Sequence, residues 1–230
     1  MKKRSLFIFC TLFSFVSHAQ VVFDWTKSYG GEGVDLAYAV GVDSSGNIYV
    51  SGIFDSDTVD FDPGVGVYNL SPKDIEYDIF IQKLDASGNF LWAKSFGSNG
   101  ADYMSSMQID ESGNIYMTGE ARLCSSDGEF FIQKLDTDGN LLWIKCINDG
   151  KSSGLTVFVD NKGNVYTAGG FGKDTVDFDP GANVFNLILN GGEGSDIFIQ
   201  KLDTDGNFIW AKSMGGDDHG DIIYSLTVDD

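Results

Sequence analysis

The phrase GNIYVSG at 46–52 returns as GNIYMTG at 113–119 and GNVYTAG at 163–169, and two further phrases keep step with it. IQKLD stands at 81–85, 132–136 and 199–203, while GNFLWAK at 88–94 is echoed by GNLLWIK at 139–145 and GNFIWAK at 206–212. Self-similarity at a period of about 50 residues marks a stacked or radial array of one structural unit. It constrains the architecture more tightly than any single residue, and it leaves ligand and reaction open.

One repeat, 101–146, divides into four short segments at 103–110, 114–121, 130–136 and 140–146, each rich in β-branched, aromatic and aliphatic residues. None carries an apolar stripe at helical spacing, so the chain is expected to be all-β. Asp-x-x-Gly-Asn recurs at 43–47, 85–89, 110–114, 136–140, 160–164 and 203–207, wherever a strand must reverse. Gly supplies the left-handed conformation of a tight hairpin, and the Asp side chain accepts backbone hydrogen bonds nearby. In 89–96, Phe90, Trp92 and Phe96 alternate with Leu91 and Ala93, so both sheet faces read as apolar and need covering. Four-stranded blades packed face to face around an axis satisfy that need: a β-propeller. A β-solenoid or a sandwich is the alternative. Ala37, Ala39 and Gly41 suit a crowded innermost strand.

The blades are expected at about 33–96, 101–147 and 153–213, with an outermost-type strand at 21–29 before them and an innermost-type strand at 222–230 after them. Propellers close with about four to eight blades, so the sequence reads as an incomplete ring from a longer protein. The first and third blades carry an insertion between their second and third strands. It contains VDFDPG at 59–64 and 176–181, and is expected to form an added hairpin projecting opposite the six tight turns. Long loops on a rigid scaffold are where binding resides.

Lys2, Lys3 and Arg4 precede an apolar run at 6–16 and the small residues around Ala19, the pattern of a secretory signal peptide over 1–20. The run is too short to span a membrane, which takes about 20 residues. Removing it takes three cations and no acid, moving the formal net charge from −19 to −22. So acidic a chain is repelled by nucleic acid and by anionic membranes. The expected location is outside the cell or on its surface. There Cys124 and Cys146 either pair or remain as buried thiols, and spacing alone does not decide.

VDFDPG, FIQKLD, DxxGNFxWAKS and VDxxGNxYxxG together resemble the bacterial SBBP-type β-propeller repeat of secreted and cell-surface proteins, over essentially all of 21–230. The resemblance implies long relatives, often with a sorting module for type IX secretion, and implies no catalytic residues.

Residue chemistry points the same way. Beyond 1–20 the only histidine is His219, in a Gly-rich loop without a nucleophile motif. A non-catalytic scaffold binding protein or glycan is the expected function; a glycoside hydrolase or lyase using paired carboxylates is the alternative. Tyr68, Tyr77 and Phe185 are the candidate ligand-binding aromatics. Asp57, Asp60 and Asp62, with Asp174, Asp177 and Asp179, form the densest acidic clusters and the candidate calcium ligands, although Asp62 and Asp179 also suit turns before Pro-Gly. No other cofactor is expected. Lysines 83, 134 and 201, and 27, 94, 145 and 212, read as structural partners of nearby aspartates.

Overall fold

The structure, a computed structural model, describes residues 24–124, 129–147, 152–190, 194–216 and 220–229; the signal segment and His219 lie outside them. Every regular element among the described residues is a strand. The first blade contains β1 (Asp35–Val42) and β2 (Ile48–Phe54), then, after the hairpin β3 (Val59–Asp60) and β4 (Asn69–Leu70), β5 (Asp78–Leu84) and β6 (Phe90–Phe96). The second is β7 (Tyr103–Ile109), β8 (Ile115–Ala121), β9 (Glu129–Leu135) and β10 (Leu141–Ile147). The third runs β11 (Ser152–Val159), β12 (Val165–Phe171), the hairpin β13 (Thr175–Asp177) and β14 (Asn186–Ile188), β15 (Asp196–Leu202) and β16 (Phe208–Met214). Each blade is a four-stranded antiparallel meander, each inserted hairpin is a separate two-stranded sheet, and among the described residues no sheet closes on itself.

Six identical turns set the meanders. Gly46, Gly88, Gly113, Gly139, Gly163 and Gly206 have φ between 72° and 83°, which glycine adopts without strain. Asp85 shows the rest of the device: its Oδ1 accepts the N–H groups of Ser87 and Asn89 at 2.8 and 2.9 Å, and its Oδ2 accepts the Asn89 side-chain amide at 2.8 Å. These bonds, the Asn89 side chain first, hold the Asp85 carboxyl below its usual range. In the inner turns the hydroxyls of Tyr49, Tyr116 and Tyr166 add a further bond to Asp43, Asp110 and Asp160.

Each innermost strand carries a β-bulge, shifting register between Ala37 and Ala39, Met104 and Ser106, and Gly154 and Thr156. Opposite each bulge lies the last glycine of the first repeated phrase. A Cβ on Gly52, Gly119 or Gly169 would stand 1.8, 2.1 or 1.8 Å from the carbonyl oxygen of Leu36, Tyr103 or Ser153. Only glycine admits so close a backbone.

Blades pack through continuous cores: Tyr49, Ile79 and Ile81 meet Met104, Ile115 and Phe131, and Phe130 and Ile132 meet Val157 and Phe198. The middle strands are buried on both faces. The outermost are not, and Leu91 remains 47% exposed, so two-sided burial stops short of the rim.

A polar latch joins each blade to the next. Lys83 Nζ donates to the Thr137 carbonyl at 3.1 Å, and Lys134 Nζ to the Thr204 carbonyl and hydroxyl at 3.3 and 3.2 Å. Lys83 is 3.9 Å from Asp43 as well, but the closer partner of this lysine is the neighbouring turn, not an aspartate. Beside them, Trp25, Trp92 and Trp143 lie over Gly88, Gly139 and Gly206. The first of these belongs to the leading segment, which occupies the position of an outermost strand without forming a ladder. The trailing segment behaves alike: Asp221 N–H donates to the Ser195 carbonyl at 2.7 Å just as Asp102 N–H donates to that of Tyr77 at 2.8 Å.

Candidate binding face

The antiparallel order puts all six tight turns at one end of the blades. The inserted hairpins and blade-to-blade connections fall at the other. At the turn end the leading Asp of each Asp-x-x-Gly-Asn motif is engaged by its own turn, and each turn glycine is covered by a tryptophan or another neighbouring side chain.

The hairpins do not project as the sequence suggests; they fold back against the blades. Phe61 and Phe178, from the two VDFDPG stretches, are 1% and 0% exposed. Phe61 packs 5.0, 5.5 and 5.6 Å from the rings of Phe80, Tyr29 and Phe54, and Phe178 packs 4.7 Å from Phe198. The buried amides of Gln82 and Gln200 donate to the carbonyls of Phe61 and Phe178, tying hairpin to blade. An apolar residue between two aspartates has a core destination here, because its blade offers an aromatic cavity.

Tyr68 and Phe185, the candidate ligand-binding aromatics of the hairpins, each pack one side on an outer-strand ring, Phe90 and Phe208, at 4.9 Å and remain 40% and 38% exposed. Tyr77 lies elsewhere, 5.7 Å from Tyr103. The structure therefore does not gather the three into one site.

The acidic clusters close the hairpins. Asp60 Oδ1 accepts the N–H groups of Asp62 and Tyr68, and Asp62 Oδ1 that of Gly64. Asp177 and Asp179 repeat the pattern with Asp179, Phe185 and Gly181. Asp57 and Asp174 are exposed at the base of the hairpins. Among the described residues no group of three or more His, Cys, Asp or Glu side chains is placed to hold a metal ion. Asp60, Asp62, Asp177 and Asp179 thus close their own hairpins.

Between the first and second blades Asp78 is buried, 3% exposed, with Oδ2 accepting the Lys73 N–H and Oδ1 without a hydrogen-bond partner. Burial, reinforced by the carboxylates of Asp102 and Asp74, raises its pKa to about 6. Cys124 and Cys146 form a disulfide, with Cα atoms 6.4 Å apart, fastening the connection after β8 to the end of β10.

The residues that sequence reasoning missed are tyrosines at the axial edge of this same face. Tyr38 is the extra residue of the β1 bulge, and with Tyr103, Met104, Ser105, Leu155, Ile223 and Tyr224 it lines an open cleft of about 420 Å³. The available signal was Gly52, Gly119 and Gly169: a glycine inside a strand pattern marks a bulge.

The fold and this face can be set beside known proteins. No family model matches the chain. It is 25% identical over 228 residues to an uncharacterized WD repeat-containing protein of Acanthamoeba polyphaga mimivirus, covering 83% of this chain. The match spans 16% of that protein's length. Among solved structures, a protein of unknown function from Bacteroides caccae is similar over 77% of this chain and 81% of its own, at 12% identity and a TM-score of 0.29. The repeat sequence, the blades and the WD repeat relative make this a propeller-type repeat scaffold.

Proposed function

We propose that this scaffold is non-catalytic, is exported as the resemblance to SBBP-type repeats of secreted and cell-surface proteins implies, and binds a protein or glycan through the face opposite its tight turns. One contrast carries the reading. At the turn end the leading aspartates of the turns and Lys83 and Lys134 are committed to holding turns and neighbouring blades, whereas the opposite face leaves Tyr38, Tyr103 and Tyr224 at 50%, 41% and 86% exposure. Exposed aromatic area of that kind marks an interaction surface. Nothing in the arrangement of Asp60, Asp62, Asp177 and Asp179 favours hydrolysis, since backbone donors already engage them.

Binding of peptide and glycan arrays by the full chain tests this. Substitutions at the turn tips, such as Glu111→Ser and Lys162→Ser, should leave binding intact, and substitutions of the exposed tyrosines should remove it. Turnover of a polysaccharide that disappears with one carboxylate would overturn the non-enzymatic reading. N-terminal sequencing of the protein from its host should find the mature chain starting at the end of the 1–20 segment if it is processed as proposed.

A further inference from the structure

We propose that the tyrosine cluster at the axial edge of the loop face receives the cationic side chains of a basic protein segment. The inference rests on the loop face being the binding face, and names its partner.

Three separate stretches of chain bring the rings together. Tyr38 is turned out by the β1 bulge, Tyr103 opens β7, and Tyr224 arrives on the trailing segment, held by the Asp221–Ser195 hydrogen bond. Tyr77 backs the cluster from the first blade, its ring 5.7 Å from that of Tyr103 and tilted by 44°. Bulges commonly re-aim side chains beside functional sites. Here the bulge carries a large aromatic residue into water, where burial in the blade would otherwise be favoured.

Charge selects among the ligands that aromatic rings accept. Ring faces attract cations through their quadrupole. The Asp55 carboxylate lies close enough to Tyr77 that, after burial, it is the next cause of that tyrosine's raised pKa, followed by Tyr103 and Tyr38. Asp55 also lines, with Glu32 and Asp57, an acidic cleft of about 490 Å³. The nearby Arg122 is turned to the Asn99 carbonyl at 3.3 Å. With a formal net charge of −19 the whole chain draws cations and repels sulfated or uronic glycans. A neutral glycan could stack on the rings but would gain nothing from these carboxylates. A lysine- or arginine-bearing segment gains from both.

The test uses the full chain and a labelled octalysine peptide, read by fluorescence anisotropy at physiological salt, with neutral cellohexaose as competitor. Replacing Tyr38, Tyr103 and Tyr224 together by Ala leaves the charge unchanged and should weaken octalysine binding about tenfold or more. The corresponding triple Phe variant should bind within about threefold of the parent, because the ring face is what attracts the cation. Circular dichroism checks folding. A Tyr38→Ala/Tyr224→Ala variant, which spares β7, should still lose several-fold if the triple variant fails to fold. Unchanged octalysine binding by a folded Ala variant would overturn the inference in favour of the diffuse field. Displacement by cellohexaose, or loss with Phe as with Ala, would overturn it in favour of a glycan site while keeping the loop-face reading. Loss of all binding only through turn-tip substitutions would instead defeat the loop-face reading itself.

Discussion

Replacing Phe61 by Ala tests whether the inserted hairpins belong to the core. The side chain is 1% exposed and lies among three rings, those of Phe80, Tyr29 and Phe54. Truncating a buried Phe to Ala costs about 3–5 kcal/mol, through lost burial and the cavity left behind. Exchanging the whole hairpin for the short connection of the second blade removes more. Gln82, already lacking a partner for Oε1, then loses the carbonyl acceptor of its Nε2 as well. An unsatisfied buried amide adds about 1–3 kcal/mol. Together these approach the whole stability of many domains, about 5–15 kcal/mol. The exchange should therefore disrupt the first blade, contrary to what a projecting loop would give. Urea unfolding followed by tryptophan fluorescence measures both, with Val65→Ser at the fully exposed hairpin tip as the reference of near-zero cost. A Phe61→Ala variant losing under about 1 kcal/mol would refute the reasoning, because a ring so enclosed cannot be removed that cheaply.

Gly52→Ala should destabilise by about 2 kcal/mol or more, since its Cβ would lie 1.8 Å from the Leu36 carbonyl oxygen; the thermal midpoint should fall, and an unchanged midpoint would deny the bulge. Lys134→Met should cost about 1 kcal/mol by removing the lysine donor from Thr204, whose exposed carbonyl keeps the Trp143 indole N–H, measured in the same urea titration. The pH dependence should turn over. Asp78, raised to about 6, is penalised when ionised, so stability should rise as pH falls from 7 to about 4, near the unfolded value. Asp85 and Asp136 are lowered, so their contribution is complete above the unfolded value and is lost as pH falls through their folded values. Asp78→Asn should raise stability at pH 7 by up to about 3 kcal/mol and flatten the upper slope. Reducing the Cys124–Cys146 disulfide should cost about 3 kcal/mol, seen as a lower thermal midpoint in dithiothreitol.

Strands and turns were legible because their causes are local. Asp85, Gly88 and Asn89 specify their hairpin within five residues, and the four segments expected in the second repeat fall within a residue of β7 to β10. The bulges were harder. One extra residue at Tyr38 leaves the alternation nearly intact, and its trace is displaced onto Gly52 in the partner strand. The fate of Phe61 was not readable at all, because VDFDPG looks like an exposed turn until the aromatic cavity beneath it is known. Nor was it readable that Tyr68, 40% exposed, rests one side on Phe90. Tyr38 and Tyr224 share one repeat position, three residues after Asp35 and Asp221, but the second and third blades carry Ser105 and Leu155 there and Tyr103 directly follows Asp102, so the repeat pattern did not announce the cluster.

The latch between blades has a direction. Lys83 and Lys134 reach forward from one blade, and the turns at Thr137 and Thr204 receive them on the next. A donor surface meeting a different acceptor surface is a heterologous contact, without the self-complementarity a two-fold pair requires. Two such units therefore join head to tail and in no other sense. Because each junction uses the same residues, a unit can be duplicated or lost at the gene level without inventing a new interface. The junction fixes polarity and spacing; the number of units is free to drift.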